Sequence, residues 1–177
     1  MKMLRVITAG FLFAVLVPPI GSAAAPQELA PRKRPPKARI VADEGVQRGV
    51  LWSFCWTYTE GDWGVGSCGD GSYVWRTPLE VPPRSKAKLT FGWGQMPSHL
   101  SIRGWSRVGR DDLPRGSGRR LAYRLRPERS PGEGITGWAA HFRVPDRTGH
   151  FYVSSFAKWD GGSSGGDASH SFHLRLE

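Results

Sequence analysis

The chain reads as an all-β protein built as a two-sheet sandwich, and three observations carry that reading. Apolar residues alternate at period two, most strongly where Val50, Trp52, Phe54, Trp56 and Tyr58 oppose Leu51, Ser53, Cys55 and Thr57. No stretch sustains apolar spacing of three and four over three turns, so no helix is expected. Gly, Pro and Asp interrupt the alternating stretches at short intervals, as the turns of a sandwich do.

In chain order, residues 1–24 have the layout of a secretory signal peptide. Lys2 and Arg5 precede an apolar run from Val6 to Val17, then Pro18, Pro19 and the small residues Gly21, Ser22, Ala23, Ala24 and Ala25. Cleavage after Ala24 fits, because cutting one position later would leave Pro26 just past the scissile bond. The run falls short of the roughly 20 residues of a bilayer span. No transmembrane segment is therefore expected after cleavage, with an uncleaved anchor as the alternative, and the localisation expected is secreted or extracellular. Residues 25–47 read as a disordered Pro/basic tail, with Pro35-Pro36 and little to pack.

The sandwich is expected over residues 48–177, with seven or eight short strands. Glu60-Gly61-Asp62 supplies one turn, and Cys68-Gly69-Asp70-Gly71 a second before a strand at Tyr73, Val74 and Trp75. Leu89, Phe91 and Trp93 alternate within Ala87 to Trp93, and Leu100 and Ile102 follow. Residues 103–134 form an Arg-rich insertion, read as a long loop carrying one edge strand around Leu121, Tyr123 and Leu125. Ile135 lies out of phase with Trp138, Ala140, Phe142 and Val144. His150 to Trp159 and Ala168 to Leu176 are the last two strands, joined by the Gly-rich link Asp160 to Asp167.

The net charge of +10 divides unevenly. Lys2 and Arg5 carry +2. Residues 25–39 add +4 from Arg32, Lys33, Arg34, Lys37 and Arg39 against Glu28, and the remaining 18 basic and 14 acidic residues give another +4. Between Arg103 and Arg129, nine Arg against Asp111, Asp112 and Glu128 sum to +6, so the rest of the sandwich is slightly acidic.

Two Cys in an exported chain point to one disulfide, and Cys55 and Cys68 stand 13 positions apart around the first turn. The spacing is not that of a redox pair, and there is no second Cys pair for zinc.

Val144-Pro145-Asp146-Arg147-Thr148-Gly149-His150-Phe151-Tyr152-Val153 resembles the approach to the penultimate strand of immunoglobulin-like domains. The resemblance implies an immunoglobulin-like sandwich. Phe151 stands where that corner usually has Tyr, and Val153 where the second Cys of the inter-sheet disulfide would be. A wider likeness, over about 49–176, is to uncharacterised single-domain exported proteins of Gram-positive bacteria. It rests on Ser53-Phe54-Cys55-Trp56, Cys68, Leu79-Glu80-Val81-Pro82, Phe156-Ala157-Lys158-Trp159 and Gly166-Asp167-Ala168-Ser169. It carries no catalytic residue across.

Chemistry is thinly represented. No Gly-x-Ser-x-Gly elbow accompanies the scattered Ser and the five His, and His170 and His173, three apart on a strand, point to opposite faces. Asp111-Asp112 and Glu60 with Asp62 read as turn formers. Neither metal, cofactor nor catalytic residue is assigned. Binding is better supported. The Arg-rich stretch, Arg103, Arg107, Arg110, Arg115, Arg119, Arg120, Arg124, Arg126 and Arg129, has Trp105 and Tyr123 within it and suits a polyanion. Trp63, Trp75 and Trp105 sit near turns as candidates for stacking on sugars, whereas Trp52, Trp56, Trp93, Trp138 and Trp159 fall in strand phases that face a core. The expected role is non-enzymatic binding of an anionic cell-surface polymer or a protein partner, not intracellular nucleic acid. Alternatives are a carbohydrate-binding module, an inhibitor of an exported enzyme acting through an edge strand, and a small secreted hydrolase.

Overall fold

A computed structural model describes residues 31–177. The expected signal peptide and the start of the tail lie outside them. Among the described residues twelve strands and no helix follow in order: β1 Ala38–Ala42, β2 Gly45–Arg48, β3 Val50–Glu60, β4 Trp63–Asp70, β5 Leu79–Val81, β6 Lys86–Phe91, β7 His99–Trp105, β8 Arg119–Arg120, β9 Tyr123–Ser130, β10 Gly134–Arg143, β11 Gly149–Trp159 and β12 Ser164–Leu176. They make a five-stranded sheet, β2-β1-β6-β10-β9, and a seven-stranded sheet, β4-β3-β12-β11-β7-β8, with β5 added in parallel to the end of β12. The other pairs are antiparallel. This is the expected two-sheet sandwich, and it is compatible with an immunoglobulin-like architecture.

The core lies where the apolar phases meet. From the five-stranded sheet, Ile40, Leu89 and Ala140 sit side by side, as do Ala38, Phe91 and Trp138. From the other sheet come Trp56, Ile102, Val153, Trp159, Phe172 and Leu174, all but sealed from solvent. Trp56 meets Trp93 and Trp159, and Phe91 meets Trp159, edge to face at one end, while Trp93 and Trp159 are tilted, with ring centroids 5.4–6.0 Å apart. The phase slip at Ile135 is a β-bulge between Ile135 and Gly137. Gly137 is required there, since a Cβ would lie 2.6 Å from the Phe91 carbonyl oxygen.

Three expectations need correction. The folded part begins well before residue 48. Pro35 and Pro36 are buried, the Trp56 indole donates to the Arg32 carbonyl (2.7 Å), and β1 and β2 form a hairpin. The alternation Ala38, Ile40, Ala42 is obscured in the sequence by its small side chains and by the basic and Pro residues around it. Tyr73 to Trp75 is not a strand. The segment 71–78 instead lies as a strap on the outer face of the seven-stranded sheet. Gly71 N–H donates to the Trp52 carbonyl, Ser171 Oγ donates to the Val74 carbonyl (3.0 Å), and Gln47 Nε2 donates to the Thr77 carbonyl (2.8 Å). Finally, β12 starts at Ser164, so the Gly-rich link is shorter than expected.

Gln47 joins the two sheets. Along β12, β3 pairs up to Ser171 and β5 begins at Leu174. Between them the His173 N–H donates to Gln47 Oε1 (2.7 Å), and Gln47 Nε2 donates to the His173 carbonyl (2.8 Å). A side chain from β2 thus satisfies backbone groups that no strand reaches.

Candidate polyanion-binding face

Period two places the polar residues of the five-stranded sheet on its outer face. Arg48 opposes Arg39, Lys88 opposes His141, His141 opposes Arg124, and Arg143 opposes Lys86. With Arg126, the face carries Arg39, Arg48, Lys86, Lys88, Arg124, Arg126 and Arg143, all exposed except the half-buried Lys88. The acid among them is Glu128, which accepts from Lys88 Nζ at 2.7 Å. Among the described residues no carboxylate pairs with the other six.

An open groove of about 1310 Å³ runs over this face and round its edge. Lys86, Lys88, Arg124, Arg126 and Arg143 line it, joined by Arg84, Arg119 and Arg120, against Asp43 and Asp146. Arg84 is paired with Asp146. Arg119 and Arg120 reach the groove because β8 pairs with β7 at the edge of one sheet, after which the chain crosses to the other as β9. The groove exceeds the 300–1,000 Å³ of ordinary small-molecule pockets and suits a chain better than a compact ligand.

The expected site residues are divided by this arrangement. Arg119, Arg120, Tyr123 and Arg124 come together along the groove. Tyr123 does not offer its ring there as a polar handle. Its hydroxyl donates to the Leu100 carbonyl (2.6 Å), and burial pushes the phenol pKa up, with Arg120 opposing. Arg103 and Trp105 lie on β7 in the other sheet, held by the Ser117 carbonyl (3.1 Å) and the Gly116 carbonyl (3.2 Å). Arg107 and Arg110 are exposed in the loop that follows, where Arg115 pairs with Asp111. Trp75 is half-buried in the strap, its indole donating to the Asp112 carbonyl (2.8 Å). Trp63 is 78% exposed at the β3–β4 hairpin, away from all of these. Sequence reasoning misses Lys86, Lys88 and Arg143. Each sits two residues from another polar or basic residue in strand phase, but only the pairing order brings the strands together.

The opposite outer face differs. Trp52 stacks on Tyr73 (4.4 Å between centroids), Tyr73 on Trp75 (5.1 Å), and Trp75 meets Tyr152, which stacks on His173 (4.5 Å). His173 Nδ1 lies 3.0 Å from the Arg76 carbonyl and so carries the proton, leaving Nε2 to accept from His150 Nδ1 at 2.9 Å. Burial, first of all, lowers the His173 pKa. These ring nitrogens bond to each other and to backbone, and among the described residues no carboxylate orients them as a nucleophile's base would need. His170 faces inward, 2% exposed, and burial lowers its pKa to about 4. Cys55 and Cys68 are joined across the directly paired positions of β3 and β4, on the exposed side of that sheet.

Comparisons with protein-family models, with curated proteins and with solved structures found no match.

Proposed function

We propose that the protein is a non-enzymatic binding domain, exported from the cell, that holds an anionic polymer of the cell surface on the outer face of its five-stranded sheet. The observation that carries this reading is the charge arrangement: seven cations on one face, of which Lys88 alone has a carboxylate partner among the described residues. Such a face costs folding stability through self-repulsion, which a polyanion would relieve while releasing its counterions. The disulfide is consistent with an oxidising, extracellular setting. The test is affinity for an immobilised anionic polymer as salt is raised. With about 0.7 counterions released per contact, engagement of all seven cations gives a log–log slope of about −5. A slope near zero removes the proposal.

A protein partner is the second reading, favoured by one observation. β9, an edge of the five-stranded sheet, carries Arg124, Arg126 and Pro127, which discourage strand addition, whereas the edge strand β4 has no Lys, Arg or Pro. Affinity capture with a β4 variant, Gly66→Pro, separates the two readings, since that change leaves the basic face untouched.

A further inference from the structure

Where the basic groove ends, a second and smaller pocket begins. Arg119 and Pro145 line both. The smaller one, of about 380 Å³, is walled by Trp105 and Phe151 and carries Arg115, Arg119 and Arg147 with the hydroxyls of Ser106 and Ser117. That is at the small end of ligand pockets, room for a single ring and its substituents.

Its parts are held in place. The Trp105 indole donates to the Gly116 carbonyl, and Gly118 is seated so close to the ring that a Cβ there would lie 2.4 Å from it. Phe151 is 3% exposed beneath Gly104, whose own Cβ would fall 2.1 Å from the phenyl ring. Arg115 is already neutralised by both oxygens of Asp111 (2.9 and 3.0 Å). Arg119 and Arg147 are exposed and have no carboxylate partner among the described residues. An aromatic wall, two hydroxyls and two guanidinium groups without a carboxylate partner, of which Arg147 gives its Nε to the Thr148 carbonyl (3.4 Å), match a ring with apolar C–H faces, hydroxyls and one acidic substituent. The groove itself presents mainly cations, its aromatic residues being the buried Phe142, Tyr123 with its hydroxyl engaged, and the exposed imidazole of His141, and it holds no indole, so it reads chiefly charge.

We infer that this pocket is an end subsite for one charged sugar residue, and that the polymer is an anionic glycan whose remaining length lies in the groove. The sugar ring packs on Trp105, and its carboxylate or sulfate sits between Arg119 and Arg147. This rests on the polyanion reading of the groove and adds the sugar.

The experiment titrates the full chain with a short oligogalacturonate and, separately, with inorganic polyphosphate. It follows the Trp105 indole N–H by NMR, assigned from its loss in Trp105→Phe. The uronate is expected to shift that signal, and its affinity to fall about tenfold in Trp105→Ala and in Arg147→Gln, while polyphosphate affinity in Trp105→Ala changes less than about twofold. Arg147 is exposed, so its variant remains informative if Trp105→Ala does not fold. Uronate binding that ignores both substitutions yet is lost in Arg124→Glu/Arg126→Glu overturns the sugar subsite and leaves the polyanion reading intact. A polyphosphate-induced shift of Trp105 as strong as that caused by the uronate overturns the subsite in the same way. Failure of the wild-type chain to bind either probe overturns both.

Discussion

The two outer faces of the sandwich are made by the same period-two rule and end in opposite conditions. On the seven-stranded sheet the outward residues include Ser154, Ser171, Tyr152 and His173, and the chain folds its own segment 71–78 over this part with stacked rings and backbone carbonyls as acceptors. On the five-stranded sheet the exposed outward residues are mostly Arg and Lys, with His141 among them, and among the described residues no segment straps over them. A face that can be satisfied from within the chain is strapped; a face of like charges has too few carboxylates for such an internal solution, those near it being Glu128, the partnered Asp146 and Asp43 at the groove's edge. The difference separates what the chain uses to hold itself together from what it leaves for another molecule.

The largest effect should come from reversing the bare face. Arg124→Glu, Arg126→Glu and Arg143→Glu together are expected to weaken polymer binding more than about a hundredfold at low salt. The thermal midpoint should hold or rise, because like-charge repulsion is reduced. Calorimetry and a binding titration on the same sample check both halves of that statement.

Stability changes should concentrate on the strapped side. Gln47→Leu leaves the buried N–H and carbonyl of His173 without partners, and denaturant unfolding should show a loss of about 3–4 kcal/mol. Reduction of Cys55–Cys68 removes a 13-residue loop constraint from the unfolded chain, expected to lower stability by about 3 kcal/mol. Neither change touches the basic face, so the salt slope of binding should survive both wherever the protein remains folded.

A smaller, pH-dependent effect is expected from His170. Its folded pKa of about 4 lies below the ordinary 6.5, so acid protonates the unfolded chain first. The contribution to stability is complete above pH 6.5 and is lost progressively as pH falls toward 4. Between pH 7.5 and pH 5 the loss comes to about 2 kcal/mol. His170→Phe should flatten that part of the stability profile. The Phe91 ring beside it already makes an aromatic contact there, which a phenyl group would keep.

Much of this fold is legible in the sequence, and the rest is not for identifiable reasons. Phe54 to Tyr58 and Leu89 to Trp93 declare their strands because large residues mark the inner phase, whereas Trp52, expected to face the core in the same phase, lies at the β-bulge opposite Ser169 and His170 and stacks on Tyr73 at the outer face. Ala38, Ile40 and Ala42 obey the same phase with little bulk, so Pro and Arg dominate the composition around them. Tyr73, Val74 and Trp75 have the residue types of a strand but go to side-chain stacking over β12. The site is half visible. The run Arg119 to Arg124 is contiguous in the chain, whereas Lys86, Lys88 and Arg143 join it only through the pairing of β6 with β10 and β10 with β9. Charge clustered along the chain overstates Arg107 and Arg110 and overlooks charge clustered across strands.

Whether the outer face of the five-stranded sheet is the binding surface is decided by the salt dependence of affinity for an anionic polymer, compared between the wild-type chain and the Arg124→Glu/Arg126→Glu/Arg143→Glu variant. A slope of about −5 is expected for the wild type, reduced by about two through loss of these three contacts, with a matching collapse of affinity. Equal slopes and affinities for the two proteins would contradict a binding role for this face.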